Sequence, residues 1–494
     1  MTTALTPLLD TVRSFLDRDH GLVIDGETRR SVSGRTLDVF DPATGDRLTT
    51  VPAGNAEDVD AAVAAARRAL PVWQGLSTGR RAELLWALGA AIEARADEFA
   101  QIEALDNGKP TAESLMVDVP LSASLFKYYA GWATKIDGDV ITPMSGAPFH
   151  VYTRREAVGV VAAIIPWNFP LLMCGYKVGP ALAAGNTVVL KPAEQTPLAA
   201  LRLLELMAEV GFPPGVVNVV TGDGPDAGAP LAAHHDVNKI TFTGENSTGA
   251  KILDAAKGNM KRLSLELGGK SPSVVFDDAD LDAAVEGTFG AVYFNQGQCC
   301  IAGARVYVQD GVYEEFVARL AARVRQVRLG NGLDPEATMG PLVSAEQQQR
   351  VQSLIASGIE AGATAVVGGE DIPGPGYFAA PTLFTDVTPD MRIMREEIFG
   401  PVAMVGRFST EAEALALAND TSFGLAAGVW TLDVKRAHRM AHGIEAGVVW
   451  VNTYGMFDAA IPYGGFKMSG FGKELGREAL DMYLQTKTVW MGLS

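Results

Sequence analysis

Short apolar runs alternate with amphipathic helical patterns in the middle of the chain. The runs cover residues 158–165, 186–191, 216–221, 237–242 and 263–267. Helical patterns separate the first four runs, including one at 198–210. Nearly continuous apolar strands that alternate with helices predict a parallel sheet covered on both faces. Ligands bind beyond the carboxyl ends of such strands, so polar residues just after each run are the first candidates for a functional site.

The same alternation begins again after residue 270 and predicts a second α/β domain. Its strand candidates are residues 273–276, 305–308, 364–367, 402–405, 427–430 and 447–451. Before the first sheet, helical patterns start after Asn55, a predicted N-cap, and continue over about 80–105 and 112–133. The first twenty residues also have the pattern of an amphipathic helix.

Two peripheral stretches have strand patterns. Residues 136–155 are extended and are interrupted by Pro143, Gly146 and Pro148, which predicts a hairpin-like excursion. Residues 484–490 alternate polar and apolar side chains, as in a strand exposed on one face. We expect this tail to pair either with the 136–155 excursion or with the edge of another subunit.

Length and charge narrow the class of protein. The chain has 494 residues and a net charge of −17. This length predicts about two or three domains, and the negative charge argues against a nucleic-acid-binding surface. The sequence contains no apolar run of membrane-spanning length and no signal-peptide core in its first residues. We therefore expect a cytoplasmic protein without a membrane segment.

The three cysteines raise the main chemical question. Cys299 and Cys300 are adjacent in a glycine-flanked segment, and Cys174 lies in an apolar run. So few cysteines exclude a disulfide framework and indicate a reducing compartment. No metal site is predicted, because no CxxC motif is present and His438 and His442 lack the glutamate of a metalloprotease helix. The cysteine pair therefore contains either a nucleophilic thiol or two small buried hydrophobes.

Six short segments help to decide whether the cysteine pair contains a nucleophile, because together they resemble the motifs of a known family. In order, they are 166–170 (PWNFP), 191–194 (KPAE), 242–244 (FTG), 265–270 (LELGGK), 297–300 (GQCC) and 396–401 (EEIFGP). Together they closely resemble the NAD(P)-dependent aldehyde dehydrogenase superfamily, over nearly the whole chain. A glycine-rich segment at 222–228 is only a weak dinucleotide fingerprint, since its third glycine comes one residue late.

The resemblance implies an α/β, aldehyde dehydrogenase-like fold in three parts. A Rossmann-type parallel sheet would form the NAD-binding domain, from residues 1–135 and 156–268. A second α/β domain, residues 269–480, would be catalytic. A bridging β-flap, residues 136–155 and 481–494, would join the subunits of a homodimer or homotetramer.

The resemblance also implies catalytic roles. Cys300 would be the nucleophile and Glu266 the general base that activates water. The Asn168 side chain would stabilise the oxyanion beside the backbone N–H of Cys300, and Lys177 and Glu474 would pass protons away from the base. Oxidation by hydride loss requires a tetrahedral thiolate adduct, and release of the acid from the thioester requires an activated nucleophile. Because Glu266 is present, we expect that nucleophile to be water and not coenzyme A.

Cofactor-binding residues follow from the same resemblance. Lys191 and Glu194 would hold the adenosine ribose. Glu397 would hold the nicotinamide ribose, with Phe399 near the ring. A carboxylate at Glu194 repels a 2′-phosphate, so we expect NAD to be preferred over NADP. The full predicted cofactor set is Ile165, Pro166, Trp167, Lys191, Ala193, Glu194, Gly224, Phe242, Thr243, Gly244, Glu245, Leu267, Gly268, Glu397 and Phe399.

The residues that the resemblance assigns to the substrate tunnel are aromatic or apolar. They are Phe169, Met173, Tyr176, Ile301, Phe457 and Tyr463, with Trp167 beside them. No cation is present among them, so we expect an uncharged aromatic (phenylacetaldehyde-like) or medium-chain aliphatic aldehyde. Aromatic rings also attract quaternary ammonium groups, so betaine aldehyde is the alternative. A cofactor-independent thiol esterase and a non-catalytic structural homologue are the alternatives of other classes.

One position departs from the family pattern. Glu245 stands where a serine commonly follows the Phe-Thr-Gly segment. A carboxylate suits a helix N-terminus but not the vicinity of a pyrophosphate. We expect Glu245 to point away from the cofactor and Asn246 or Ser247 to cap the helix.

Overall fold

The structure, a computed structural model, describes residues 5–144 and 146–493. Its α-helices are α1 (Asp10–Leu16), α2 (Ala56–Gly75), α3 (Thr78–Glu93), α4 (Ala96–Asp106), α5 (Thr111–Glu113), α6 (Val119–Trp132), α7 (Pro170–Ala183), α8 (Leu198–Val210), α9 (Ala229–Ala233), α10 (Asn246–Ala256), α11 (Leu281–Tyr293), α12 (Tyr313–Val324), α13 (Ala345–Glu360), α14 (Arg392–Arg395), α15 (Glu411–Asn419), α16 (Val434–Gly443) and α17 (Glu478–Asp481). Ser114–Asp118 and Gly224–Gly228 form π-helical turns, and Phe294–Gly297 and Asp310–Val312 form 3₁₀ turns.

The strands complete the element list. They are β1 (Leu22–Ile24), β2 (Glu27–Arg29), β3 (Thr36–Phe40), β4 (Arg47–Pro52), β5 (Val140–Ile141), β6 (Phe149–Ala157), β7 (Val160–Ile164), β8 (Thr187–Lys191), β9 (Val217–Val219), β10 (Lys239–Thr243), β11 (Arg262–Glu266), β12 (Pro272–Val275), β13 (Arg305–Gln309), β14 (Thr364–Val367), β15 (Thr382–Thr385), β16 (Val402–Phe408), β17 (Phe423–Gly424), β18 (Ala426–Trp430), β19 (Val448–Val451), β20 (Phe466–Lys467), β21 (Gly470–Phe471) and β22 (Leu484–Gly492).

The first sheet has the predicted parallel centre. Its strand order is β2-β1-β9-β8-β7-β10-β11-β21, and the strands from β9 to β11 in that order are parallel. Buried side chains of α3, α6, α7 and α8 cover one face, and those of α2, α9 and α10 cover the other. Burial on both faces explains why these strands are almost entirely apolar in sequence.

The second sheet confirms the second α/β unit. Its order is β14-β15-β16-β13-β12-β18-β19, and every pairing except β14–β15 is parallel. Two separate apolar clusters pack on its two faces. The strand β15 was not predicted. Its four residues follow a stretch rich in glycine and proline, and no alternation of polar and apolar side chains shows where a strand begins.

The C-terminal strand pairs within the same chain. β22 runs antiparallel to β6, in register from Leu484 opposite Ala157 to Gly492 opposite Phe149. Together with β5 these strands form a three-stranded sheet in which β22 is an edge strand. The first of the two pairings expected from the sequence is therefore present.

Three helix predictions needed correction or extension. The single helix expected over about 80–105 is two helices, α3 and α4. The chain turns at Arg95, whose backbone is not helical (φ −121°, ψ 31°) and whose guanidinium lies 2.5 Å from the Glu209 carboxylate. The N-terminal helix covers only Asp10–Leu16, because only Val12 and Phe15 are buried there. The N-cap at Asn55 is confirmed, and Asp58 completes a capping box.

In the two described ranges, no helix combines the length and the apolar character needed to span a bilayer.

Candidate active site

One continuous cavity of about 1310 Å³ lies at the carboxyl ends of β7, β8, β10 and β11. Every residue predicted from the sequence to bind cofactor or substrate lines it. Of the predicted catalytic residues, Cys300, Glu266, Asn168 and Glu474 line it as well. Lys177 lies behind the cavity wall, where it forms a buried ion pair with Glu474.

The loop before the cysteine pair has a strained backbone. Asn295, Gln296 and Gly297 are successive left-handed residues, with φ of 49°, 57° and 70°. A side chain at Gly297 would place its Cβ 2.1 Å from the Gly400 carbonyl oxygen, so only glycine fits. The half-buried Glu113 carboxylate accepts a hydrogen bond from the Asn295 backbone N–H at 3.0 Å. The loop is thus held by buried polar contacts in a conformation that side chains normally disfavour.

The two cysteines are not equivalent. Cys299 is buried, whereas Cys300 is partly exposed and its Sγ lies 3.3 Å from the Tyr463 hydroxyl. The Cys299 thiol lowers the pKa of Cys300 against the effect of burial, and the Tyr463 hydroxyl and the backbone N–H of Ile301 act in the same direction. Contact with Cys300 and burial raise the pKa of Cys299. Because the thiolate is the reactive form, the environment favours Cys300 as nucleophile.

Asn168 is fixed beside the nucleophile loop. It is 5% exposed, and its Nδ2 donates to the Gln298 carbonyl at 2.9 Å. The backbone carbonyl of Asn168 accepts a hydrogen bond from the Asn295 side-chain amide at 2.8 Å. A carboxamide has two N–H groups, so one donor is left for a substrate oxygen.

Glu266 ends β11 and is 3% exposed. Within the described residues, neither of its carboxylate oxygens has a hydrogen-bond partner. Burial, followed by the nearby Glu474 charge, raises the pKa of Glu266 well above its usual value, and Lys177 opposes this shift. A carboxylate with a raised pKa, in contact with the cavity, has the properties of a general base.

The two glycines after Glu266 let its segment approach Cys300 and Glu397 closely. A Cβ at Gly269 would lie 2.2 Å from the Cys300 carbonyl oxygen, and a Cβ at Gly268 would lie 2.3 Å from Glu397 Oε2. The Gly269 N–H donates to Glu397 Oε1 at 2.8 Å. Burial raises the pKa of Glu397 to about 8 despite this hydrogen bond. Close approach of backbone to backbone and to carboxylate is the physical reason for the glycine pair.

The other half of the cavity has the donor set that a dinucleotide requires. Lys191 is 4% exposed, and its Nζ lies 3.5 Å from Glu194 Oε2. Glu194 and Glu397 are carboxylates at two places along one cavity, as the two riboses of a dinucleotide demand. Phe399 has a left-handed backbone (φ 57°), and its ring packs edge-on against Trp167 at 5.2 Å. These residues fit NAD.

The sequence did not indicate an apolar slot between α9 and α10. Its lining residues are Pro225, Gly228, Ala229, Ala232, Thr248, Lys251, Ile252 and Ala255. Most of these side chains are small or apolar, which suits contact with the face of a flat base such as adenine. They escaped prediction because small residues on two helices carry no motif, and only the folded sheet brings the helices together.

The substrate half is lined by rings and aliphatic chains. Phe457 and Tyr176 both pack edge-on against Tyr463, at 5.5 and 6.3 Å, and Phe169 stacks on Phe294 at 6.1 Å. The sequence missed several residues of this wall, which are Met116, Leu121, Phe294, Tyr454 and Met456. The cavity's lysines and its arginine, Lys191, Lys251 and Arg350, are not part of this wall.

The prediction that Asn246 or Ser247 caps α10 was wrong. Glu245 itself occupies the N-cap position, is exposed, and makes no capping hydrogen bond through its side chain. Asn246 does not cap the helix, because its amide is engaged elsewhere. It accepts from the Gly268 N–H at 3.1 Å and donates to the Met468 carbonyl at 2.6 Å. Asn246 therefore fixes the backbone after Glu266, and Ser247 lies inside the helix.

Comparisons with known proteins agree with this geometry. The model of the aldehyde dehydrogenase family matches residues 29–489. The chain is 47% identical to an aldehyde dehydrogenase of Emericella nidulans, over 99% of this chain and 97% of that protein. It is 47% identical to the mitochondrial benzaldehyde dehydrogenase of Antirrhinum majus, over 95% of this chain and 88% of that protein.

A solved structure extends the likeness to three dimensions. The NAD⁺ complex of the Bacillus cereus aldehyde dehydrogenase superposes with a TM-score of 0.98 at 47% identity, over 99% of this chain and 100% of that one. The family model covers the second sheet, the parallel centre of the first sheet and all the residues that line the cavity. The fold, the site and the sequence comparisons lead to one conclusion: this chain belongs to the aldehyde dehydrogenase family.

Proposed function

We propose that the chain oxidises an uncharged hydrophobic aldehyde to the carboxylic acid, with NAD as hydride acceptor and water as the deacylating nucleophile. One observation carries this proposal. A single cavity contains a thiol with a lowered pKa, a carboxylate with a raised pKa, a buried amide donor and two further carboxylates that suit the riboses of a dinucleotide.

The side chains divide the reaction between them. The Cys300 thiolate adds to the aldehyde carbon and forms a C–S bond, while the Asn168 amide and the Cys300 N–H stabilise the oxyanion. When bound, NAD supplies the acceptor for the hydride that leaves this carbon. Glu266 then removes a proton from water, the water oxygen attacks the thioester carbon, and the Cys300 thiolate leaves.

NAD is the proposed cofactor, in preference to NADP. Glu194 supports this preference, because its carboxylate would repel a 2′-phosphate on the adenosine ribose. The NAD⁺ complex of the Bacillus cereus relative supports NAD binding. The test is the ratio of kcat/KM for the two cofactors, and equal values would refute the preference.

The substrate proposal rests on the uncharged wall around Phe457 and Tyr463. An acidic semialdehyde needs a cation to hold its carboxylate, and no lysine or arginine is among the described residues of this wall. The Antirrhinum majus relative, named for benzaldehyde, supports an aromatic substrate. A betaine aldehyde dehydrogenase structure from Staphylococcus aureus is also similar, at 39% identity and a TM-score of 0.93. Trimethylammonium recognition by the rings is therefore the competing hypothesis.

A panel of aldehydes separates these hypotheses. NADH formation is followed with phenylacetaldehyde, hexanal, betaine aldehyde and succinic semialdehyde. We expect the highest kcat/KM for phenylacetaldehyde or hexanal. High efficiency only with betaine aldehyde would favour the competing hypothesis, and high efficiency only with succinic semialdehyde would refute both.

We also propose that the chain forms homo-oligomers through the edge of β22. Trp490, Met491 and Leu493 near this edge are exposed apolar residues. The edge strand β19 of the second sheet is only half-buried, so β22 of one subunit can extend that sheet in another. Light scattering should give a dimer or tetramer, and the double variant Trp490→Lys, Met491→Lys should be a monomer. A wild-type monomer would contradict this.

A further inference from the structure

A glutamate outside the cavity contacts the loop that precedes the cysteine pair. Glu113 ends α5, is half-buried and is not among the described residues that line the cavity. Its Oε2 accepts a hydrogen bond from the backbone N–H of Asn295 at 3.0 Å. A carboxylate that has lost part of its hydration needs such partners, yet the reaction described above gives Glu113 no role.

Asn295 connects this contact to the reacting groups. It is fully buried and its backbone is left-handed, with φ 49°. Its side-chain amide donates to the backbone carbonyls of Asn168 at 2.8 Å and of Gln298 at 3.3 Å. The Asn168 side chain donates to the same Gln298 carbonyl at 2.9 Å. Asn295 therefore joins the loop of the nucleophile to the loop of the oxyanion donor.

The chain just before Glu113 holds the loop of the oxyanion donor. Asn107 is fully buried, and its Nδ2 donates to the carbonyl of Trp167, the residue before Asn168, at 2.9 Å. Residues 107–113 thus contact one loop through an amide and the other loop through a carboxylate. This short stretch of chain therefore helps to fix where the two loops lie relative to each other.

The backbone of Asn295 needs a contact of this kind. Without Glu113 the buried Asn295 N–H would lose its acceptor, and an unpaired buried N–H costs free energy. A left-handed asparagine costs free energy as well, which the surrounding contacts must offset. Rotation of this backbone would reduce both costs, but it would also move the Asn295 amide away from the Asn168 and Gln298 carbonyls.

We propose that Glu113 is a positioning residue: by holding Asn295, it keeps the Cys300 thiolate and the free Asn168 N–H directed at one substrate carbonyl. The inference rests on the proposed function, since it concerns the addition of the thiolate to that carbonyl. Glu113 itself neither forms nor breaks a bond in this step. Its loss should therefore disturb the alignment of the two groups and leave the thiol itself and the cofactor half intact.

The test compares two reactions of the same thiol, both without cofactor. p-Nitrophenyl acetate acylates Cys300 through an oxyanion, in a burst of nitrophenol. Iodoacetamide alkylates Cys300 by displacement of iodide and forms no oxyanion. In Glu113→Ala we expect the burst rate to fall roughly 10²-fold, as a misplacement of about 1 Å can cost. The alkylation rate should stay within about threefold at each pH, because Cys299 and Tyr463, which lower the pKa of Cys300, are kept.

Two further variants separate the hydrogen bond from the charge. Glu113→Gln loses the charge but keeps an oxygen acceptor with the same reach, so it should restore the burst rate to within about threefold of wild type. Glu113→Asp keeps the charge on a shorter side chain that no longer reaches Asn295, so it should acylate as slowly as Glu113→Ala. If Glu113→Ala does not fold, the comparison of these two variants gives the same decision.

Glu413→Ala is the matched control. Glu413 also accepts a backbone N–H, that of Ser409 at 2.8 Å, and it is not among the described residues that line the cavity. The variant therefore loses the same kind of contact at a place remote from the nucleophile loop. We expect it to acylate and to alkylate at the wild-type rates.

Several results would overturn the assignment. A wild-type burst in Glu113→Asp would show that Asn295 keeps its position without the hydrogen bond, and a slow burst in Glu113→Gln would show that the charge is what matters. Equal slowing of alkylation and acylation, or equal slowing in Glu413→Ala, would indicate a general structural defect. If aldehydes gave no NADH while the burst still depended on Glu113, the dehydrogenase proposal alone would fall.

Discussion

The two halves of the cavity are built in different ways. The cofactor half combines residues at the ends of parallel strands, such as Lys191, with residues of α9, α10 and the loop before β16, such as Glu397, and its glycines let the backbone approach. The substrate half consists of side chains from helices and loops, which are aromatic or aliphatic and uncharged. Cys300, Asn168 and Glu266 lie where the halves meet. Fixed backbone geometry thus suits the cofactor, which does not vary. Side chains that can be replaced suit the aldehyde, which does vary.

We expect the largest effect from a substitution of Cys300, which lies where the cofactor half and the substrate half of the cavity meet. Cys300→Ala should lower NADH formation at least about a thousandfold, because no other group can form the covalent adduct. NAD binding, followed by quenching of intrinsic fluorescence, should be unchanged. Cys174→Ala is the matched control and should stay within about threefold of wild type, since it removes a buried thiol that does not line the cavity. Equal losses in both variants would contradict the assignment.

Glu266→Gln should separate the two chemical steps. We expect the first turnover of NADH to persist while steady-state turnover falls roughly 10²–10⁴-fold, since the acyl-enzyme lacks its base. Burial raises the pKa of Glu266, so its basic form increases as the pH rises. Wild-type deacylation should therefore increase with pH, and the variant should lose this dependence. Rapid-mixing measurements across pH check both points, and a normal steady state would contradict the role.

Glu194→Gln tests the cofactor half alone. Removing this carboxylate should raise the NADP/NAD ratio of kcat/KM by about tenfold or more, because a like-charge contact costs several kcal/mol. The ranking of aldehydes should not change. Glu360→Gln, at an exposed position on α13, is the control. An unchanged cofactor ratio would mean that Glu194 does not face the ribose.

Phe457→Ala tests the substrate half alone and should have the smallest effect. We expect kcat/KM for phenylacetaldehyde to fall roughly tenfold, as lost apolar contacts in a pocket typically give. The KM for NAD should stay constant. Phe40→Ala, a half-exposed phenylalanine on β3, is the control. A loss of NAD affinity in Phe457→Ala would contradict the division of the cavity.

Sequence prediction succeeded where residue identity and local spacing carry the constraint. Glu266 was placed in the fifth predicted strand and lies in β11, followed by glycines where the close backbone approach admits no side chain; its role as the base stays a prediction. Prediction failed where the partner is distant in sequence. Asn246 was taken for a helix cap, yet Gly268 and Met468 occupy its amide. The slot between α9 and α10 was missed for the same reason.

The sequence by itself determined the order of the elements, the parallel sheets and the family. Buried parallel strands must be apolar, and a reactive site at their ends needs particular side chains in a particular order. The tertiary structure alone decided how the two cysteines differ, which wall of the cavity has no cation among the described residues, and which buried polar groups are paired. Those properties depend on burial and on contacts between residues far apart in the chain, such as Glu474 with Thr241, and no local pattern records them.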